Sequence, residues 1–201
     1  MDREMEIQAM NNLNILIVGV GGQGTLLASR FLGTAAALLG KDVKLSEVHG
    51  MSQRGGSVIT CVKIGDKIYS PLIAEGEADM ILSFEQVEAA RWLSYLKKGG
   101  TVITNTQKIE SMPVISGKAI YPDNVLEVLE QSDIRLIALD ALSIAEQCGS
   151  PKAVNVVLLG VLASQLSEVD MGIWEQCLEK VIPAKVLDLN KKAFAEGFKK
   201  L

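Results

Sequence analysis

A short apolar strand running straight into a glycine turn constrains this chain more than any other feature. Leu13 to Val18 reads Leu-Asn-Ile-Leu-Ile-Val, a β-branched run of the kind buried in a parallel sheet. Gly19-Val20-Gly21-Gly22-Gln23-Gly24 follows and matches G-x-G-x-x-G. Thr25 to Leu39 then carries apolar residues on more than one face, as a helix pressed on a sheet does, and Gly40 stops it. Val43 to Val48 is a second strand. Strand, glycine turn, helix and strand in this order predict a βαβ unit with a phosphate-binding fingerprint. In such a unit Gly19 lets the chain turn, Gly21 opens the backbone to an anion, and Gly24 lets the helix sit close to the strand. The helix N-terminus, beginning at Thr25, adds free N–H groups and a partial positive charge. The same pattern also serves as a tight βα turn that binds nothing.

A second glycine-rich stretch, Ser46 to Val58, follows directly. It holds the single histidine of the chain, His49, together with Glu47, Gly50, Ser52, Gln53, Arg54, Gly55 and Gly56. So many small and polar residues do not form core, and their backbone groups need partners. A glycine pair beside an arginine lets backbone approach a ligand next to a fixed charge. In a parallel sheet this stretch and the first glycine turn share the carboxyl edge, so together they predict one site. That site comprises Gly19, Gly21, Gly22, Gln23, Gly24, Thr25, Glu47, His49, Gly50, Ser52, Gln53, Arg54, Gly55, Gly56 and, from the far end of the chain, Asn155.

Beyond this stretch, Val58 to Ile64 and Lys67 to Ser70 flank Gly65-Asp66 and predict a β-hairpin. Ala78 to Phe84 reads as a strand and Gln86 to Leu96 as a helix ended by Gly99-Gly100. Thr101 to Thr106 is a further strand, and Lys118 to Tyr121 a short extended piece. Asp123 to Gln131 reads as a helix with Asp123 as its N-cap. Arg135 to Leu139 is a strand and Ala141 to Cys148 a helix ended by Gly149. Ser150-Pro151 is an N-cap followed by proline at the first helical position. The run from Asn155 through Gly160 fits a fully buried helix, with Asn155 either a satisfied buried amide or a group facing the site. Two amphipathic helices, Gly172 to Val181 and Ala184 to Phe198, close the chain around Pro183. The fold expected is α/β: a single doubly wound, Rossmann-like, mostly parallel sheet with an inserted β-hairpin and C-terminal helices. Residues 1–12 read as a flexible tail and 13–201 as one domain.

Bulk properties exclude several function classes. Net charge is −4 and the sequence pI about 5.2, so there is no electrostatic footprint for nucleic acid. No apolar run reaches the roughly 20 residues that span a bilayer, and the start of the chain has no apolar core of a secretion signal. The three cysteines, Cys61, Cys148 and Cys177, fit neither a disulfide framework nor a metal- or cluster-ligand spacing. No metal is expected on this chain. They read as buried thiols in a reducing cytoplasm.

Three classes of function remain. A stand-alone NAD-binding Rossmann dehydrogenase would use Glu47, near the place where the fingerprint puts its ribose-binding acid, but no separate substrate domain follows. His49 has no matching nucleophile motif and suits a ligand-orienting role. Arg54 suits bidentate binding of a phosphate or carboxylate, or pairs with a nearby acid. A non-catalytic assembly module, with the closing helices as its interface, is the third class.

The chain also resembles a known family on specific residues. Gly19 to Gly24, Glu47 to Ser57, Tyr69-Ser-Pro-Leu-Ile73, Gly76-Glu-Ala-Asp79, Asn105-Thr-Gln107 and Asn155 to Gly160 are similar to the gamma-type subunit of 2-oxoacid:ferredoxin oxidoreductases. The likeness runs from about Asn14 to Phe198, and Gly50 to Gly56 is its most specific part. It implies a share in an anaerobic hetero-oligomeric enzyme. Such an enzyme oxidatively decarboxylates an aryl 2-oxo acid such as indolepyruvate, transfers the acyl group to coenzyme A and reduces ferredoxin. It also implies that thiamine diphosphate and iron–sulfur clusters sit on a large alpha subunit and that this chain has no catalytic residue acting alone; by analogy its glycine-rich edge faces the partner's active site, where it contacts shared coenzyme A, another anion or only the partner.

Overall fold

Alternate residues of the first strand serve opposite cores, and this organises the molecule. A computed structural model of the chain describes residues 10–47 and 55–200. In β1 (Leu13–Val20), Ile15 and Ile17 join one hydrophobic cluster, while Leu16 and Val18 join a second. All four are 0% exposed, which is the period-two signature of a strand buried on both faces. Helix α1 (Thr25–Leu38) packs on the first face and the chain returns through β2 (Asp42–Glu47).

The sheet has six strands in the order β2-β3-β1-β4-β5-β6, with β3 spanning Ser57–Gly65, β4 Ala78–Ser83, β5 Leu96–Asn105 and β6 Arg135–Leu139. β1, β4, β5 and β6 are parallel. β3 lies antiparallel between β1 and β2, pairing Ile17 with Thr60 on one side and Leu45 with Val62 on the other. Helices cover both faces, so the sheet is doubly wound and mostly parallel.

The second face carries α2 (Gln86–Arg91) and α4 (Val125–Glu130), and a short helix α3 (Met112–Ile115) sits in the connection after β5. The first face carries α5 (Ala141–Cys148), α6 (Val154–Ser164), α7 (Met171–Val181) and α8 (Leu187–Phe198) together with α1. Helix α6 is buried from Asn155 to Ala163. Two glycines let it cross α8 backbone to backbone: a Cβ on Gly160 would lie 2.1 Å from the Phe194 carbonyl oxygen, and one on Gly197 of α8 would lie 2.0 Å from that of Val157. Phe31 of α1 stacks on Trp174 of α7 at 5.5 Å and tilts against Phe194 of α8 at 5.6 Å. These rings knit three helices over the sheet.

Several local expectations are corrected. The hairpin at Gly65-Asp66 does not form: Lys67 to Ser70 is not a strand. The Ile68 N–H donates to the Asp42 Oδ2 at 2.8 Å, and the Asp66 carboxylate takes the Lys41 ammonium at 2.8 Å. The turn is thus satisfied by the start of β2, leaving no ladder for residues 67–70. The hairpin that does exist joins β2 to β3. Gly99-Gly100 do not end a helix. They lie inside β5 at a register shift opposite Ala78 and Met80, where Gly99 has φ +67 and a Cβ on Gly100 would come within 2.9 Å of the Lys97 carbonyl oxygen. Helix α2 stops earlier, at Arg91. Asn124, not Asp123, precedes α4, without a side-chain cap. Lys118 to Tyr121 forms no strand. Of the expected tail, residues 1–9 lie outside the described residues, whereas Met10 is 5% exposed and joins the core.

Candidate functional site

β1 runs out at Val20, at the carboxyl edge of the parallel strands, and the glycine turn begins there. Gly19 is still inside the strand, paired with Val58; it does not make the turn. Its missing side chain leaves room for Gln23, whose Oε1 would lie 2.7 Å from a Cβ there. Gln23 spans the end of the sheet: Oε1 accepts the Val20 N–H at 2.6 Å and Nε2 donates to the Phe84 carbonyl at 3.0 Å. One amide side chain therefore ties the end of β1 to the end of β4.

The Gly21 N–H donates to the Gly56 carbonyl at 2.9 Å. That amide is used internally rather than offered to an anion. The bond brings the first glycine turn and the Gly55-Gly56 end of the second stretch together. Gly22, at φ +101, has nothing within 4 Å of its Cβ position among the described residues. Gly24 is the N-cap of α1 at φ +92 and makes no side-chain cap. A Cβ on Gly24 would lie 2.3 Å from Asn155 Nδ2, so this glycine admits Asn155 of α6 rather than a strand. Thr25 and Leu26 start α1, where the first N–H groups have no partner within the helix.

Glu47 ends β2, and its Oε1 accepts the Ser29 hydroxyl at 2.6 Å. A cleft of about 290 Å³ lies between the turn and Glu47, lined by Gly21, Gly22, Thr25, Val58 and Thr60 among others. On the other side of the turn lies a cleft of about 490 Å³, lined by Gly22, Gln23, Gly24, Gln107, Lys152 and Asn155 among others. His49, Gly50, Ser52, Gln53 and Arg54 lie outside the described residues. Gly19, Gly21, Gly22, Gln23, Gly24, Thr25, Glu47, Gly55, Gly56 and Asn155 lie along one edge of the sheet and its clefts.

Sequence reasoning missed a buried acidic cluster at the same edge. Glu85, 1% exposed, follows β4 and caps α2: its Oε2 accepts the Val87 N–H at 2.8 Å and the Glu88 N–H at 3.1 Å. Its Oε1 accepts the Tyr121 hydroxyl. Burial pushes the Glu85 carboxyl above its ordinary value, against the opposing pull of the Tyr121 bond and the backbone amides. Burial and Glu85 together raise the Tyr121 phenol. Glu88, also 1% exposed, accepts the Ser57 hydroxyl on Oε2 and the Arg91 Nε–H on Oε1 at 3.1 Å. The segment between β5 and α4 is thereby strapped over this edge. It touches the second glycine stretch, since the Met112 N–H donates to the Gly55 carbonyl at 3.1 Å. An acid two residues past a strand and at the head of a helix was the only available signal in the sequence.

Among the described residues no helix is long and apolar enough to cross a membrane, and no group of three His, Cys, Asp or Glu side chains is placed to hold a metal ion.

A family model described as pyruvate ferredoxin/flavodoxin oxidoreductase matches residues 14–200. The indolepyruvate oxidoreductase subunit IorB of Thermococcus kodakarensis is 43% identical over 197 residues, covering 94% of this chain and 96% of the relative. The protein of the same name from Archaeoglobus fulgidus is 43% identical over 190 residues, covering 92% and 94%. Among solved structures, the keto/oxoacid ferredoxin oxidoreductase gamma subunit of Geobacter sulfurreducens superposes with a TM-score of 0.69 at 24% identity, covering 92% of this chain and 96% of that one. The 2-oxoglutarate:ferredoxin oxidoreductase of Magnetococcus marinus gives 0.71 at 19% identity, and there the match takes in 94% of this chain but 30% of the longer one. The strand order, the glycine edge and the near full-length match to these sequences together place the chain: it belongs to the pyruvate ferredoxin/flavodoxin oxidoreductase family.

Proposed function

We propose that the chain is the gamma-type subunit of a cytoplasmic, thiamine-diphosphate-dependent 2-oxoacid:ferredoxin oxidoreductase. Its substrate is indolepyruvate or a related aryl 2-oxo acid, which is oxidatively decarboxylated to the acyl-coenzyme A with reduction of ferredoxin. The observation that carries this reading is the 43% identity over 94% of the chain to proteins named indolepyruvate oxidoreductase subunit. In this reading thiamine diphosphate and the iron–sulfur clusters belong to a large partner subunit, and coenzyme A is held between the partner and the glycine edge of this chain. The placement of the cysteines supports that division: Cys61, Cys148 and Cys177 are buried on β3, α5 and α7. The sheet order speaks against a stand-alone dehydrogenase, because β3 separates Glu47 on β2 from the glycine turn on β1. In a dinucleotide fold those two strands are neighbours.

The test is anaerobic co-purification of the tagged chain from its native host. The expected result is a large coloured partner that contains thiamine diphosphate. The pair should reduce an electron carrier with indolepyruvate and coenzyme A, and neither chain should do so alone. A colourless single chain that binds NAD would overturn the proposal.

A further inference from the structure

No neighbour among the described residues requires a glycine at position 33. Gly33 lies inside α1, where glycine weakens a helix relative to alanine. It is not among the glycines of positive φ. A Cβ there would meet only the Leu45 Cδ1, at an ordinary 3.7 Å. Gly160 and Gly197 stand in contrast, since a Cβ on either would strike the backbone of the opposing helix. The side chain missing at Gly33 leaves room on the outside of α1, and such room serves the close approach of a second backbone.

That room opens into a groove of about 620 Å³ between α1, β2 and the end of α7, lined by Gly33, Ala37, Val43 and Leu45 among others. Gly33 and Ala37 are neighbours one helical turn apart and present almost no side chain. β2 is an edge strand of the sheet, and its Leu45 is 38% exposed although large and apolar.

The charge of the groove selects its occupant. Arg30 and Lys180 line it and no acidic residue does. Among the described residues neither cation makes an ion pair. The whole chain has 24 acidic against 20 basic residues, so the groove runs against the average. Unpaired cations beside an apolar surface match carboxylates on a partner. The groove also continues the glycine edge along α1. Arg30 stands one turn beyond Leu26, which lines the cleft at Glu47 and is itself 39% exposed.

We propose that this groove docks a helix of the large partner subunit, whose apolar face packs on Gly33, Ala37 and Leu45 and whose flanking carboxylates pair with Arg30 and Lys180. An amphipathic helix laid in an apolar groove is a recurring mode of recognition. The identity of the partner rests on the subunit role proposed above, whereas the shape and charge of the groove do not.

The test co-expresses the full tagged chain with the large thiamine-bearing subunit and measures the dissociation constant of the pair by sedimentation velocity. Gly33→Ala should raise the melting temperature of the chain alone yet weaken assembly about tenfold. These two effects have opposite signs, which a merely local role of Gly33 does not produce. Arg30→Glu combined with Lys180→Glu should weaken assembly by about tenfold or more at low salt and by less at high salt, with the melting temperature of the chain alone unchanged. On assembly the amides of β2 and α1 should exchange more slowly. Variants that assemble as tightly as the parent, or unchanged exchange at β2 and α1, would overturn the docking site. Self-association of the chain alone that the charge reversal abolishes would also overturn it, because a second copy would then fill the groove. The functional reading is scored separately: a parent chain that forms no complex sinks the subunit role and the docking with it, whereas a parent complex with full turnover whose assembly ignores these variants sinks the docking alone.

Discussion

Tyr121 donates its hydroxyl to the buried carboxylate of Glu85 across 36 residues of chain. The bond closes a circuit. Glu85 caps α2, Tyr121 ends the strap that follows β5, and Met112 in the same strap holds Gly55, whose neighbour Gly56 holds Gly21. The strap therefore positions the first glycine turn and the Gly55-Gly56 end of the second stretch. Removing the hydroxyl in Tyr121→Phe leaves a buried carboxylate oxygen short of a donor, a loss of about 1–3 kcal/mol. A lower urea midpoint is expected, with faster hydrogen exchange at the Met112 and Gly21 amides than elsewhere in the sheet. Unchanged exchange at those two amides would show that the strap is held by other contacts.

The helix crossing at Gly160 and Gly197 leaves no space for a methyl group on either residue. What a Cβ would strike is backbone, so no rotamer change relieves it. Gly160→Ala and Gly197→Ala should each destabilise the fold by about 3 kcal/mol, the upper end of overpacking costs. The double variant should lose less than the sum, because the first substitution already separates the helices and makes room for the second. Urea denaturation of the four proteins checks this. Additive losses would mean that the crossing yields separately at each glycine, without a shared shift of the two helices.

The parts of this fold that were legible in the sequence are those governed by neighbouring residues. The run from Leu13, the glycine turn, the helix to Leu38 and the strand to Glu47 follow one another, and each stop is made locally. Ser150 and Pro151 likewise announce the turn before α6, and Asn155 stood out as polar at the head of an apolar run. What stayed hidden depends on distant partners. The position of β3 between β1 and β2 is a choice of pairing that periodicity does not encode. Gly65-Asp66 has hairpin chemistry, yet Asp42 and Lys41 reach it first. The Glu85 cluster joins β4, the strap and Ser57, and no local pattern connects acids and hydroxyls so far apart.

Arg54 tests the second glycine stretch without reference to its conformation. A guanidinium followed by a glycine pair suits an anionic partner group or ligand. In the assembled enzyme Arg54→Ala should cost about 1.5–3 kcal/mol of binding or transition-state stabilisation, which means a drop of roughly tenfold or more in kcat/KM for coenzyme A or the 2-oxo acid. The melting temperature of the isolated variant should stay at the parent's value. Unaltered kinetics for both substrates would remove Arg54 from the site.

Glu85 also sets a pH dependence whose sign follows from its burial. Its carboxyl is shifted above the ordinary value of 4.5, chiefly by desolvation, whereas the unfolded chain returns it to that value. The folded state therefore holds its proton more tightly than the unfolded state. The resulting stabilisation is complete below about pH 4.5 and is lost as the pH rises through the higher folded value. Glu85→Gln carries no titrating group at this position. Its urea midpoint should therefore fall less than the parent's between pH 4.5 and neutrality, although the variant gives up some capping of the Val87 and Glu88 amides at every pH. The Tyr121 phenol is shifted upward and stays protonated across that range, so it does not contribute to the slope. Parallel curves for parent and variant would show that the buried carboxylate is already as well solvated by its donors as it is in water.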